Sequence, residues 1–440
     1  MSDTSLSFAQ HVVDRCGQLG ATESSAAVSR SSHIQIIRRD GQVEQATEAT
    51  TQSLSITVLV DDCFCSSSTS DLRPDAVEQF VEKSIAAAQY LEPDDARRHA
   101  DEALCGRGVS QEDLDQDDAC WGTRTAEDRS QDAEQLETAL QELSDDRAIS
   151  GSVMVADGRS EVAHVLSNGF SGVNQGAWFA AGGERTIQDG DRRPEAGAHY
   201  GARHLADLPA ADALAQTIVD RVEERVGAGP IDSGRYPLVL SARAAGRILG
   251  ILAGPLSGGA LHQRRSCLSE HEGKAIGSAC FTLTDDPTIP RGLGSRPWDG
   301  DALCSRPLTL IDEGVLRNYY VSVYHGRKLD RAPTTGGRSN WVIPAGTTPW
   351  QQAAQAWPKA IRVTGFLGGN SNAASGDFSF GISGQLLEHG KPTQSLGEMN
   401  VSGNVQTLFH KLVGVGDDPW AWSAVRSPTL LFEDVQFSGL

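Results

Sequence analysis

The order of apolar and polar positions divides the chain into recognisable elements. Leu6 to Leu19 carries apolar residues at helical spacing. His33 to Asp40 and Ser53 to Cys65 alternate or run β-branched on either side of Asp40-Gly41, the pattern of a hairpin beside a helix. Val77, Phe80, Val81, Ile85 and Ala88 form one stripe, which predicts a second helix over about Pro74 to Gln89 with Asp71 as its cap. A polar stretch from Glu92 to Trp121 has few core residues, and an acidic helix follows over roughly Glu127 to Leu143. Strand patterns return at Val153 to Val155, Glu161 to Leu166 and Gln175 to Gly182, before a helix from about Ala211 to Val226.

Ala228-Gly229-Pro230 breaks the chain, and short strand-like runs dominate beyond it: Tyr236 to Leu240, Leu308 to Ile311, Tyr319 to Val323, Ala360 to Phe366, Phe378 to Ile382 and Thr429 to Phe437. The expectation is an α+β protein of two domains. Residues 1–227 form an N-terminal α/β section with helices and mixed strands and a soft sub-boundary near 125–149, and residues 228–440 form a mostly antiparallel β domain. A length of 440 residues exceeds what one core usually supports.

Charge and composition narrow the partners. A formal net charge of −20 repels phosphate backbones and anionic lipids, which argues against nucleic acid as a ligand. Between Glu92 and Asp146, 18 acidic residues face five basic ones, the composition of a solvated surface. No apolar run approaches the roughly 20 residues a membrane helix needs, and the N-terminus lacks a basic start followed by an apolar core, so the expected location is the cytoplasm. Eight scattered cysteines form no CxxC pair or cysteine-histidine cluster; Cys63 and Cys65 fall on one face of a strand as small apolar residues.

Several phrases then resemble the TldD/PmbA family, in particular its PmbA (TldE) branch. In the first half these are Ser66 to Leu72, Ser167 to Gly172 and Ala202 to Leu208. In the second they are Leu256 to Ala260, Gly292 to Asp299, Ile311 to Leu316, Ser339 to Trp341, Thr364 to Gly369, Ser375 to Gly381 and Ile382 to Asn404. The resemblance implies a two-domain protein that pairs with a relative to enclose a cavity in which unfolded peptides are cleaved. It also implies that zinc sits in the TldD-type partner, on a helix carrying HExxxH and completed by a later cysteine. Helical spacing brings two histidines to one face, and the glutamate serves as general base for metal-bound water.

None of the 11 histidines here stands in such a motif. His271-Glu272 comes nearest, with Ala275 and Ile276 where a second histidine is needed. The segment preceding Ser257-Gly258-Gly259, in the place of the family's metal helix, is Ser241 to Gly250; its Arg243 and Arg247, spaced i, i+4, either repel a dication or are solvated or paired with carboxylates. Trp420 to Pro428 offers no cysteine as the late ligand. GxSxG, GxxxxGK[ST] and GxGxxG signatures are also absent, while Asp285-Asp286 and Asp417-Asp418 read as turn carboxylates.

The sequence therefore predicts no catalytic or metal-binding residue and no cofactor held by this chain. Candidate peptide contacts are Ser339, Asn340, Trp341, Asp377 and Phe378, in a β-rich domain where strand addition suits an extended substrate. The leading expectation is a non-catalytic subunit of a heterodimer with a TldD-like, HExxxH-bearing homologue, active on unfolded peptides. The alternatives are a stand-alone peptide-binding or scaffold protein and an enzyme with an unrecognised, non-zinc site.

Overall fold

The computed structural model describes residues 2–106 and 109–439, excepting the side chains of residues 2 and 3. Its first half is built on one six-stranded sheet. The strands are β1 (Glu23–Arg39), β2 (Gln42–Val60), β3 (Cys63–Thr69), β4 (Ala148–Leu166), β5 (Ser171–Ile187) and β6 (Glu195–Ala202), in the order β3-β2-β1-β4-β5-β6. Every neighbouring pair is antiparallel, so the strands expected as mixed form two three-stranded antiparallel runs, β3-β2-β1 and β4-β5-β6, joined where β1 pairs with β4. Because β4 lies beside β1, the sheet runs across the soft sub-boundary near 125–149.

The hairpin at Asp40-Gly41 has both turn residues at positive φ. A second two-residue turn, at Asp61-Asp62, divides the run from Ser53 to Cys65 into β2 and β3. The sequence pattern missed it because the turn has no glycine; aspartate is among the few other residues that visit the left-handed region. Cys63 and Cys65 are both buried on β3.

Helices α1 (Ser2–Gln18), α2 (Pro74–Ala88), α3 (Gln111–Leu114), α4 (Ala126–Glu142) and α5 (Ala211–Glu223) belong to this half. The four long ones cover one face of the sheet. α1 and α2 bury Val12, Val81 and Ile85 with Val28, Ile56 and Val165, while α4 and α5 bury Leu136, Leu140 and Ile218 with Val153 and Ala198. Asp71 does not cap α2: Arg73 is the N-cap, and Asp71 instead accepts from the Arg73 amide and side chain. On the opposite face the indole of Trp178 lies against Gly158, where a Cβ would stand 2.6 Å from its Nε1, and stacks on His33 at 5.4 Å.

The second half contains β7 (Gly234–Leu240), α6 (Ala242–Leu249), α7 (Gly258–His262), β8 (Leu283–Asp285), β9 (Leu308–Asp312), β10 (Val315–Leu316), α8 (Val323–Leu329), β11 (Trp341–Val342) and α9 (Trp350–Ala354). They are followed by β12 (Lys359–Ser371), β13 (Asp377–Glu388), β14 (Lys391–Asn404), α10 (Val405–Leu408), β15 (Leu412–Val415), β16 (Val425–Arg426) and β17 (Leu430–Gly439). The sheet β14-β13-β12-β7-β17-β15 closes through an additional β14–β17 pairing, so β7, β12, β13, β14 and β17 form a small barrel. Leu240, Val363, Phe380, Val401 and Phe432 lie in its core with Ala245 and Ile248 of α6. A five-stranded sheet, β10-β9-β8-β11-β16, lies in the same half.

Tyr319 to Val323 is not a strand. Tyr319, Tyr320 and Val321 are buried in a loop that leads into α8, and a short apolar run cannot be assigned by periodicity alone. The two halves meet at several places. Arg327 donates to the carbonyls of Ala96, Arg98 and His99, Gln116 Nε2 donates to the carbonyls of Gly292 and Ser295, and Tyr200 packs against Trp420 and Trp422.

Candidate functional site

Helix α6 packs against the barrel beside β12 and buries Ala244, Ala245, Ile248 and Leu249. Its outward positions hold Arg243, Gly246 and Arg247. Gly246 faces Val425, with a Cβ position 3.6 Å away. The Arg247 guanidinium lies 4.6 Å from the centre of the Phe380 ring and its Nη2 donates to the carbonyl of Gly369 at 3.4 Å. Arg243 Nη2 stands 3.9 Å from a carboxylate oxygen of Glu224.

Beside α6, β12 loses register between Phe366 and Gly369, which turns Leu367 outward to 59% exposure. Gly368 and Gly369 take φ of 115° and 112°. A Cβ on Gly369 would stand 2.1 Å from the Ser379 carbonyl, so only glycine fits. The result is an open groove lined by Leu367, Gly369, Asn370, Ser379, Gly381 and Asn400.

Zinc, which the resemblance places in the TldD-type partner, has no fitting donor set on α6: the helix carries no His, Cys, Asp or Glu. Among the described residues no group of three such side chains is positioned to hold a metal ion. At the lookalike His271-Glu272, Glu272 accepts from Arg331 at 2.7 Å and Ile276 is buried. In the segment Trp420 to Pro428, Trp420 and Trp422 instead pack on Tyr200.

The candidate peptide contacts divide sharply. Ser339, Asn340 and Trp341 are all buried. The Asp285 carboxylate accepts from the Ser339 amide at 2.7 Å, the Ser339 hydroxyl, and the Tyr320 hydroxyl at 2.6 Å, while Trp341 Nε1 donates to that same Tyr320 hydroxyl. Burial raises the Asp285 carboxyl above its ordinary value. Asn340 donates to the Asp286 carbonyl at 2.7 Å and the Ser295 hydroxyl at 2.8 Å, and accepts from the Gly294 amide. These three residues knot loops together, with their polar atoms turned inward. Phe378 is buried against Phe380, and Asp377 alone faces solvent, its carboxylate held below the usual range by hydrogen bonds from Asn404 and Ser375.

Two features lay outside the sequence reading. One is a cavity of about 150 Å³ between the halves, walled by His99, His164, Arg97, Asp301 and Tyr324. The other is a cluster of arginines from α5, α6 and β12: the sequence marks Arg243 only by its place on the α6 segment, and Arg221 and Arg225 as an i, i+4 pair around Glu224. β3 pairs with β2 only from Leu54 to Val60, leaving the outer edge of β2 at residues 42–53 without a strand partner among the described residues.

Comparison with known proteins gives a consistent result. Residues 233–439 match the family model described as the PmbA/TldA metallopeptidase C-terminal domain, and residues 25–88 match PmbA/TldA metallopeptidase domain 1. The chain is 24% identical to the metalloprotease PmbA homologue of Haemophilus influenzae, across 99% of this chain and 95% of that one. The same organism has a metalloprotease TldD homologue, 26% identical over 48% of this chain and 46% of that one. A crystal structure from Bacteroides thetaiotaomicron, described as a candidate DNA gyrase modulator, superposes with a TM-score of 0.93 at 32% identity, covering 99% of this chain and 98% of the other. TldE from Thermococcus kodakarensis shares the fold, with a TM-score of 0.84 at 19% identity over 98% of this chain and 100% of that one.

Proposed function

Since the chain belongs to the PmbA/TldD metallopeptidase family, we propose that it is the metal-free subunit of a heteromeric metalloprotease that degrades or processes unfolded peptides. The observation that carries this reading is the outer surface of α6. Where a metal-bearing relative needs two histidines and a glutamate, this helix presents Arg243, Gly246 and Arg247. Two guanidiniums in place of ligands oppose a dication, while the scaffold that positions the helix is intact.

The partner in this reading is a TldD-like homologue bearing HExxxH, which supplies metal, base and water. The occurrence of both a PmbA and a TldD homologue in Haemophilus influenzae supports such pairing. The part of the sheet face opposite α1, α2, α4 and α5 that surrounds His33 and Trp178 is half-buried and, among the described residues, carries no helix, which suits a partner surface. The outer edge of β2 and the groove beside α6 suit an extended peptide. We further propose a domain division at 227/228 and a cytoplasmic location; all eight cysteines are free thiols, as a reducing compartment favours.

Co-expression with an HExxxH-bearing relative tests the reading. A single co-eluting species should cleave unfolded peptides, and alanine at the relative's HExxxH glutamate should abolish cleavage while assembly persists. This chain alone should hold well under one zinc per molecule, with His271→Ala changing neither metal content nor complex activity. Stoichiometric zinc surviving dialysis of this chain alone, or equally fast digestion by the relative alone, refutes the assignment; failure to co-elute at micromolar concentration favours a stand-alone peptide-binding protein.

A further inference from the structure

Four arginines converge where the two halves meet: Arg221 on α5 and Arg225 just beyond it, Arg243 on α6 and Arg362 on β12. All four are half-buried. Arg221 donates to the Gly197 carbonyl at 2.9 Å, and Arg225 to the Glu195 carbonyl at 2.6 Å. Arg362 Nη1 donates to Glu224 at 3.2 Å and to Gln385 at 2.9 Å, while its guanidinium stacks 5.0 Å from the Trp350 ring centre. Glu224 lies among them as the carboxylate they share, and Glu195 bears on Arg225 from the side. Four fixed positive charges against two carboxylates leave a local excess in a chain whose net charge is −20.

The anomaly centres on Arg243. Its sole charged contact is the 3.9 Å approach to Glu224, beyond hydrogen-bond reach, and its guanidinium donates to no described residue. Arg362 also keeps a buried Nε with no acceptor. Desolvation first, and then the fields of Arg221, Arg362 and Arg225, pull the Arg243 guanidinium down to about 10. A planar fork of donors, held in place by a helix and left without acceptors, is the arrangement that receives an oxyanion in two parallel hydrogen bonds. The side chains of Arg243, Glu224 and Arg362 keep 28%, 27% and 22% of their surface, so the cluster is open to solutes.

We propose that this cluster is an oxyanion-binding site, taking a phosphate group or the terminal carboxylate of a peptide on Arg243 and Arg362, with Arg221 and Arg225 supplying the surrounding positive field. The site joins α5 of the first half to α6 and β12 of the second, so an anion bound there links the two. It goes beyond the proposed subunit role and does not depend on it.

Calorimetric titration of the full-length chain at fixed ionic strength tests the site, using inorganic phosphate and a pair of acetylated hexapeptides that end in a free carboxylate or in an amide. Phosphate, the acid peptide or both should bind, and the acid peptide should bind on the order of tenfold more tightly than its amide if a carboxylate is the ligand. Arg243→Gln should weaken the responsive probe on the order of tenfold, whereas Arg73→Gln, an exposed arginine distant from the cluster, should leave it within about twofold. Binding of phosphate alone assigns the site to phosphate groups. The proposal is overturned if no probe binds below about 10 mM, if acid and amide peptides bind alike and phosphate does not bind, or if Arg73→Gln weakens binding as much as Arg243→Gln. The wild-type comparison of acid, amide and phosphate decides the matter even if Arg243→Gln fails to fold.

Discussion

Replacing a half-buried histidine should change how this protein responds to acid. His164 lies on β4, in the wall of the cavity between the halves, with the Phe170 ring edge-on at 6.0 Å. Burial, and then the positive field of His99, pull its imidazole from 6.5 down to about 4, against a smaller opposing pull from Asp299. The unfolded chain takes up this proton near pH 6.5 and the folded chain only near 4, so the stability due to the neutral ring is complete above 6.5 and is lost as pH falls to 4. Each pH unit between those values is worth about 1.4 kcal/mol, giving a ceiling of about 3 kcal/mol. Solvent reaching the ring through the cavity lowers that to about 2 kcal/mol. Urea unfolding of the wild type and His164→Leu at a series of pH values isolates the effect, because carboxylates common to both cancel in the difference. The variant should gain about 2 kcal/mol on the wild type between about pH 7 and 4.5. A difference that stays constant to within about 0.5 kcal/mol across that range refutes the argument.

Three further outcomes follow from particular contacts. Trp341→Phe removes the donor to Tyr320 and leaves a gap in a fully buried site, which should cost about 2–4 kcal/mol in urea unfolding without altering assembly with a partner. Arg129→Leu strands the buried Asp157 carboxylate, which Arg129 Nε and Nη2 reach at 2.8 and 2.9 Å, and should cost about 3–5 kcal/mol; a loss below about 1 kcal/mol would mean that Trp121 and Arg124 suffice to hold the charge. Gly369→Ala should cost more than Gly368→Ala, by about 2 kcal/mol in thermal unfolding, since both take positive φ but only Gly369 also meets the Ser379 carbonyl.

The sequence by itself determined the local elements and the family. Helical stripes placed α2, α4 and α5 to within a few residues, since one face of each is buried and that face repeats every 3.6 positions. The Asp40-Gly41 turn was legible because its backbone requires residues that tolerate positive φ. The TldD/PmbA resemblance was carried by phrases whose order survives along the chain, and so was the absence of HExxxH. Tertiary structure decided what those phrases do. Ser339, Asn340 and Trp341 look like polar and aromatic contact residues in one dimension, yet their partners Asp285, Asp286, Ser295 and Tyr320 come from 21 to 54 residues away and fold them inward. The closure of the barrel rests on β14 pairing with β17, and the arginine cluster on α5 meeting α6 and β12. Periodicity reports which face of an element is buried but not against what, so contacts between distant segments, and any site built from them, exist only once the chain has folded.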